Sequence, residues 1–431
     1  MAFAKDSLIT FSTKVFIVLI GMITNIILVR ILGPSGKGIY SLVILVPALL
    51  FAMGNFGIGI ANIFFIGKKA HPLSNVISNS LILGFGLGTI LAMIFVLLHG
   101  HFDFSFLRGV NPHILVIGLI GLPFLFIINY FSTILMGENR FVEYNLVSVL
   151  NWISLLGLLI LFLIIFTQGI LGAVISWALA VFGASICSIY FVLKSQRIKL
   201  SLSLGLLKDS IKFGVQGYFG NLAQMLNYRL DMFFVNFFMG VTYVGYYSIA
   251  VLIAELLWLF PSAVGTVLFP KVSSMTTEEA NEWTPKVCRN TFFITLISSL
   301  VLVFLGRWII VVLFGNSFLP ALKALWILLP GIVALSIPKI LGNELTGRGR
   351  PIINLYIAIT SLGINLPLNI ILIPKWGIEG AAFASTVAYF VTTILTLSIF
   401  LKISKNRVID TIVIKPRDLN SYYSIFQGIK I

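Results

Sequence analysis

The chain of 431 residues is 59% hydrophobic and only 10% charged, with a mean hydropathy of +1.06, whereas soluble domains are about half apolar and a quarter charged. That composition excludes a soluble domain of useful size and marks a protein built of membrane spans. A net charge of +15 suits nucleic acid only when basic residues gather on one folded face; here they sit in short loops between apolar runs, so topology explains them and no nucleic-acid partner is expected.

About 20 apolar residues cross a hydrocarbon core of ~30 Å. On that measure helices are predicted at roughly 8–32, 38–66, 75–98, 113–136, 145–166, 170–193, 210–238, 243–271, 284–314, 318–343, 351–373 and 377–402. The first run contains Lys14 and lacks the short apolar region and small-residue cleavage site of a signal peptide, so it reads as a retained helix. RILGPSGKGIYS at 30–41 then forms the turn between the first two helices through Gly33, Pro34, Gly36 and Gly38. GFGLG at 84–88 lies inside the third helix with no strand before it, so close helix packing explains it better than a phosphate loop. HGHFD at 99–103 is a short loop without further ligands, and no metal is expected there. Cys187 and Cys288 show neither metal-like nor disulfide-like spacing.

With both termini placed inside the cell, 22 of the 29 Lys and Arg fall on the cytoplasmic side, Lys339 among them. Arg30, Lys37, Arg108, Arg307, Lys323 and Lys375 fall outside and Arg229 lies within the bilayer, an asymmetry that fixes the orientation. The first turn therefore faces outward.

That turn has an echo. LGPSGKGIYS at 32–41 matches MGVTYVGYYS at 239–248 in Gly33/Gly240, Gly38/Gly245, Tyr40/Tyr247 and Ser41/Ser248, all 207 residues apart. QGILGA at 168–173 matches WGIEGA at 376–381 with a displacement of 208, which also relates Arg140 to Arg348 and Lys194 to Lys402. The expected fold is an all-α polytopic membrane protein of about twelve transmembrane helices in two parallel six-helix repeats around a central cavity, because an even number of spans returns each half to the same orientation. The divisions are an N-terminal lobe 1–193, a basic cytoplasmic linker 194–209, a C-terminal lobe 210–402 and a cytoplasmic tail 403–431. The linker suits an anionic leaflet as well as it suits plain positive-inside charge.

Polar groups inside spans are costly and are functional candidates by default. In the seventh helix Gln216, Gly220, Gln224, Asn227 and Asp231 share one face, and Arg229, two residues or about 200° away from Asp231, points elsewhere. Stripes also occur in the first helix (Thr10, Lys14, Gly21, Asn25), the second (Asn55, Gly59, Asn62) and the eighth (Ser248, Glu255, Ser262). Such stripes line a wet cavity or act as interhelical glue. Lys14 can snorkel to an interface and Arg30 can anchor a helix end. The candidate substrate-binding residues are thus Arg229, Arg30, Lys14, Asn25, Asn55, Asn62, Gln224 and Asn227; the ion-coupling candidates are Asp231 and Glu255; and the gate candidates are Gly33, Gly38, Gly240 and Gly245. No nucleophile, base and orienter appear together, so no enzyme and no cofactor are expected.

VRILGPSGKGIYSL and FAMGNFGIGIANIFFIGKK in the first half, YRLDMFFVNFFMGVTYVGYYSIAVLIAELLWLFPSAVGTVLFPKVSSM in the second, GRGRP at 347–351 and KWGIEGAA at 375–382 give the chain a family likeness. It resembles the polysaccharide transporter (Wzx-type oligosaccharide flippase) family of the multidrug, oligosaccharidyl-lipid and polysaccharide exporter superfamily. The resemblance implies a flippase that moves undecaprenyl-pyrophosphate-linked oligosaccharide across the cytoplasmic membrane by alternating access. Its partners would be that lipid-linked substrate, membrane lipids and other polysaccharide-assembly proteins. Two alternatives stand beside it. One is a cation-coupled multidrug exporter of the same superfamily, the other a membrane-embedded glycosyltransferase or polymerase; the latter needs paired carboxylates or a sizeable outer loop, and the longest, around 99–112, holds only Asp103.

Overall fold

The structure is a computed structural model, and it describes residues 2–102, 104–194, 202–416 and 418. Residues 195–201 of the predicted linker, Asp103, and residues 417 and 419–431 of the predicted tail lie outside the described residues. Among the described residues there are only helices and turns, and nine helices are long and apolar enough to cross a membrane. Two of the nine are double. The helix Ala2–Gly54 is broken at Gly33 (φ 65°, ψ −173°) into α1 (2–32) and the first part of α2 (34–54). Ile352–Ser404 is broken at Gly377 (φ 59°, ψ −136°) into α11 (352–376) and α12 (378–404). The others are α3 (Leu73–His101), α4 (Pro112–Gly137), α5 (Phe141–Ile165), α6 (Gly169–Leu193), α8 (Val241–Ser274), α9 (Thr277–Phe314) and α10 (Ala321–Gly347). Leu204–Met239, too polar to count by composition, is α7 and completes twelve.

The breaks follow local chemistry. Gly33 takes a positive φ open to few other residues, and Pro34 starts the next helix where its missing N–H has no consequence. Only Gly33 leaves the helix, so the first turn is shorter than the glycine-rich loop read from sequence, and Lys37 belongs to the first turn of α2. That helix is itself interrupted at Asn55–Gly57, where Phe56 (φ 47°) and Gly57 (φ 72°) precede a second part, Ile58–Lys68. α9 begins earlier than predicted because Thr276 and Glu279 form a capping box.

The repeat is visible in the backbone. Gly33 and Gly240 both have positive φ, as do Gly169 and Gly377. The closing turns of α4 and α10 also match: Arg140 N–H donates to Leu135 O (2.8 Å) and Arg350 N–H to Leu345 O (2.9 Å), around Asn139 and Gly349 at positive φ. This pairs Arg140 with Arg350 rather than with Arg348 as the sequence echo suggested, because the helix end, not the arginine side chain, is what repeats. Arg348 instead bonds Glu344 and Asn281.

The chain divides into two compact units, residues 1–225 with 239–245 and residues 226–238 with 246–431. The first is centred on Ile77, Phe126, Tyr130 and Phe131, and the second on Cys288, Ile340, Leu341 and Phe400. Outward positions are equally apolar: Phe304 is 78% and Trp308 70% exposed on α9, tolerable for such side chains only in hydrocarbon. Both cysteines are free thiols.

Beyond α12 a short helix, α13 (Val408–Ile412), docks on α9. Buried Arg289 donates from Nε and Nη2 to the Asp418 carboxylate (2.5 and 2.8 Å) and from Nη1 to Asp410 O (3.0 Å). The Arg289 side chain, by this hydrogen bonding, holds the Asp418 carboxyl below the usual carboxylate range. A depressed carboxyl contributes stability at neutral pH and loses it as pH falls through the folded value. Amide exchange across 408–416 is therefore expected to stay slow from pH 7 to about 5 and to quicken below about 4. Exchange protection unchanged at low pH would show that apolar packing alone holds the segment.

Candidate functional site

In α7 Asn227 and Asp231 lie one turn apart on a face enclosed by the second unit, 3% and 1% exposed. Asn227 donates to Ser361 Oγ (3.0 Å) and accepts from Asn365 Nδ2 (2.8 Å), which is followed by an Asn369-to-Asn365 amide bond of 2.7 Å. Asp231 accepts from Tyr247 Oη (2.6 Å), Ser385 Oγ (3.2 Å) and Met232 N (2.8 Å). Several donors thus replace water around a carboxylate that enters no ion pair among the described residues.

Arg229 turns away from this face, as two residues of helix require. It meets Glu255 of α8 through Nη1···Oε1 (2.9 Å) and Nη2···Oε2 (3.0 Å). The side chains remain 31% and 22% exposed, so this paired group is accessible while Asp231 is closed in. Directly after Glu255 the helix tightens to a 3₁₀ turn, Leu256–Trp258. Trp258, Tyr228 and Tyr389 then form an aromatic cluster with ring centroids 4.9 to 6.0 Å apart. Lys339 of α10 places Nζ 5.3 Å from the Tyr228 ring and 4.8 Å from the Trp258 ring. Sequence reasoning missed Lys339 and the aromatic residues, since hydropathy only counted the lysine as a cytoplasmic charge.

The remaining candidates belong to the first unit. Asn25 accepts from Lys37 Nζ (2.8 Å), and Lys37 is buried rather than loop-exposed. Asn62 is buried and donates to Ser80 Oγ (3.0 Å). Asn55 sits at the break in α2 with its buried Oδ1 lacking a hydrogen bond. Lys14, Arg30 and Gln224 are exposed, and the Gln216 side chain lies outside the description.

The four glycines do two different things. Gly33 and Gly240 bend the chain at positive φ, with open space where a Cβ would stand. Gly38 and Gly245 are contact points: a Cβ on Gly38 would lie 1.7 Å from Val241 O, and one on Gly245 would lie 2.0 Å from Pro34 O. Since 34 and 241, like 38 and 245, differ by the repeat of 207, the two contacts are equivalent and form one reciprocal backbone seam within the first unit.

The sequence model of the family described as "Polysaccharide biosynthesis protein" matches residues 3–276. The chain belongs to this family. A second model, MatE, matches residues 218–371, which agrees with membership of the multidrug, oligosaccharidyl-lipid and polysaccharide exporter superfamily. The chain is 26% identical over 227 residues to a protein named as a probable low-salt glycan biosynthesis flippase, Agl15 of Haloferax volcanii, a match covering 48% of this chain and 47% of that protein. It is 24% identical over 384 residues to the capsular polysaccharide biosynthesis protein CapF of Staphylococcus aureus, covering 86% and 92% respectively. The chain thus spans about half the length of one curated relative and nearly all of the other. Among solved structures, the lipid II flippase MurJ in an inward closed conformation superposes with a TM-score of 0.79 at 20% identity, over 98% of this chain and 93% of that one; at that identity the fold alone is shared. The family member described here is a multi-pass, all-helical membrane protein with the two-repeat transporter fold.

Proposed function

We propose that the chain is a flippase that translocates undecaprenyl-pyrophosphate-linked oligosaccharide units across the cytoplasmic membrane by alternating access, for cell-surface polysaccharide biosynthesis. The observation that carries this reading is the accessible Arg229–Glu255 pair some ten residues, or about 15 Å, inside α7. An arginine fork suits a pyrophosphate because two parallel N–H donors match its oxygens, and a partly exposed carboxylate partner is exchangeable for that ligand. Names of relatives that include flippase and polysaccharide biosynthesis support it. Arg30, Lys14, Gln224, Asn25 and Asn55 are the proposed further contacts; Asn62 and Asn227, being enclosed, act by fixing helices. Both termini are proposed to be cytoplasmic, and the Gly38/Gly245 seam, with its turns at Gly33 and Gly240, is the proposed outer gate. Asp231 and Glu255 are proposed as the ion-coupling groups, since buried or paired acids can change protonation during transport.

The MatE match supports a second reading, a cation-coupled drug exporter. A pocket for organic cations should be acidic or aromatic; the Trp258, Tyr228 and Tyr389 rings fit that demand, whereas Arg229 and Lys339 set two cations beside Glu255 and disfavour it. The deciding experiment reconstitutes the chain in liposomes with a fluorescent undecaprenyl-pyrophosphate oligosaccharide and, in parallel, a fluorescent organic cation. Movement of the lipid-linked sugar is the expected result; movement of the cation alone would overturn the flippase. The same vesicles test coupling, because Glu255→Gln and Asp231→Asn should both lose the response to an imposed ion gradient.

A further inference from the structure

The second unit holds a cation whose charge is left intact. Lys339 lies eight residues, or about 12 Å, inside the end of α10 at Gly347. Its ammonium is held over the faces of Tyr228 and Trp258 and enters no ion pair among the described residues. Ring faces hold a cation by their quadrupole without neutralising it, which a carboxylate would do. The neighbouring Arg229 and Glu255 already compensate one another, and Asp231 is closed in behind its own hydrogen bonds, so Lys339 is the cation of this cluster that no carboxylate meets among the described residues.

Two further features belong to the same cluster. Trp258, 9% exposed, keeps a buried indole Nε1 with no hydrogen-bond partner, and natural cores rarely leave such a donor unused. The backbone under Lys339 is also fixed. Asn343 donates to its carbonyl (2.8 Å), and α8 approaches that carbonyl at Gly265, where a Cβ would come within 2.4 Å. The lysine is a preorganised charge on a rigid helix, with an orphan donor beside it.

We propose that Lys339 is a phosphate-binding residue of the substrate site, released from its aromatic cage onto the ligand's pyrophosphate, with Trp258 Nε1 as a second donor. The inference rests on the flippase reading and adds to it a residue that selects phosphorylated over neutral prenyl lipids. Arg229 and Lys339 together supply two cations for a pyrophosphate dianion, and Glu255 leaves the pair when the ligand enters.

The test measures binding of geranylgeranyl pyrophosphate and of geranylgeraniol to the purified full chain in nanodiscs. Lys339→Gln should weaken the pyrophosphate probe about tenfold or more while leaving the alcohol unchanged, as expected for loss of a charged hydrogen-bond donor. Lys339→Arg should restore most of the binding, and Trp258→Phe, which keeps an aromatic face, should weaken it severalfold. Wild-type discrimination that survives Lys339→Gln would overturn the role of Lys339 and leave the flippase reading standing. Equal loss of both probes would mark a structural role and overturn it too. A wild-type chain that binds both probes alike would overturn both readings.

Discussion

Gly38→Ala is expected to lower transport about fivefold or more in a protein that still folds and inserts. A methyl group 1.7 Å from Val241 O cannot be accommodated, so the seam between the start of α2 and residues 241–245 must open. Overpacking typically costs about 1–3 kcal/mol. At 1.4 kcal/mol per factor of ten, the seam-closed state loses population by roughly 5- to 150-fold relative to a seam-open one. Gly245→Ala should act equally, because its Cβ would meet Pro34 O at 2.0 Å across the equivalent contact. The double substitution should add less than the sum, since one opening relieves both clashes. Gly33→Ala is the informative contrast: nothing lies within 4 Å of its Cβ, and only the backbone conformation is strained, at roughly 1–3 kcal/mol. A disulfide between Ser35→Cys and Thr242→Cys, without Cys187 and Cys288, should form readily in the parent and poorly with Gly38→Ala. Normal transport by Gly38→Ala, or full transport with the disulfide closed, would remove the gate and leave the seam as static packing.

The spans other than the more polar α7 were legible as long apolar runs, and the repeat because glycines at 33 and 240, or 169 and 377, answer a backbone demand few residues meet. The same letter concealed a difference. Gly36 and Gly38 look like loop glycines beside Gly33, yet they lie within α2, and only the opposing backbone of residues 241–245 explains Gly38. The interruption of α2 was missed because glycines within an apolar run are tolerated in a helix, and the positive φ of Phe56 has no sequence signature.

The site shows a similar limit. Periodicity put Asn227 and Asp231 on one face and Arg229 on another, as observed, but periodicity cannot say what a face meets. The part of that face at Asn227 and Asp231 meets Ser361, Asn365 and Ser385 from α11 and α12, more than 100 residues away in sequence, and is sealed there. The ion pair of Arg229 with Glu255 crosses to a different helix. Lys339 was hidden further, because its surroundings come from α7 and α8 while hydropathy sees only its own helix.

That arrangement makes Arg229 the residue with the largest expected effect on substrate movement. Arg229→Gln should reduce translocation of lipid-linked oligosaccharide at least 100-fold, and Arg229→Lys less, since a point charge lacks the bidentate fork. Stability must be separated from function. Removing one partner of a fully buried pair costs about 3–5 kcal/mol, but with both side chains a fifth to a third exposed the solvent reduces this to roughly 1–2 kcal/mol. Arg229→Gln and Glu255→Gln should therefore each lower the melting temperature modestly, and the double substitution, leaving no unpaired charge, should recover most of that loss. Transport distinguishes the roles. If the pair only braces α7 against α8, the double variant regains activity along with stability. If Arg229 receives the pyrophosphate, the double variant is stable and inactive, because neutral amides hold the helices together yet offer no cation to a desolvated anion.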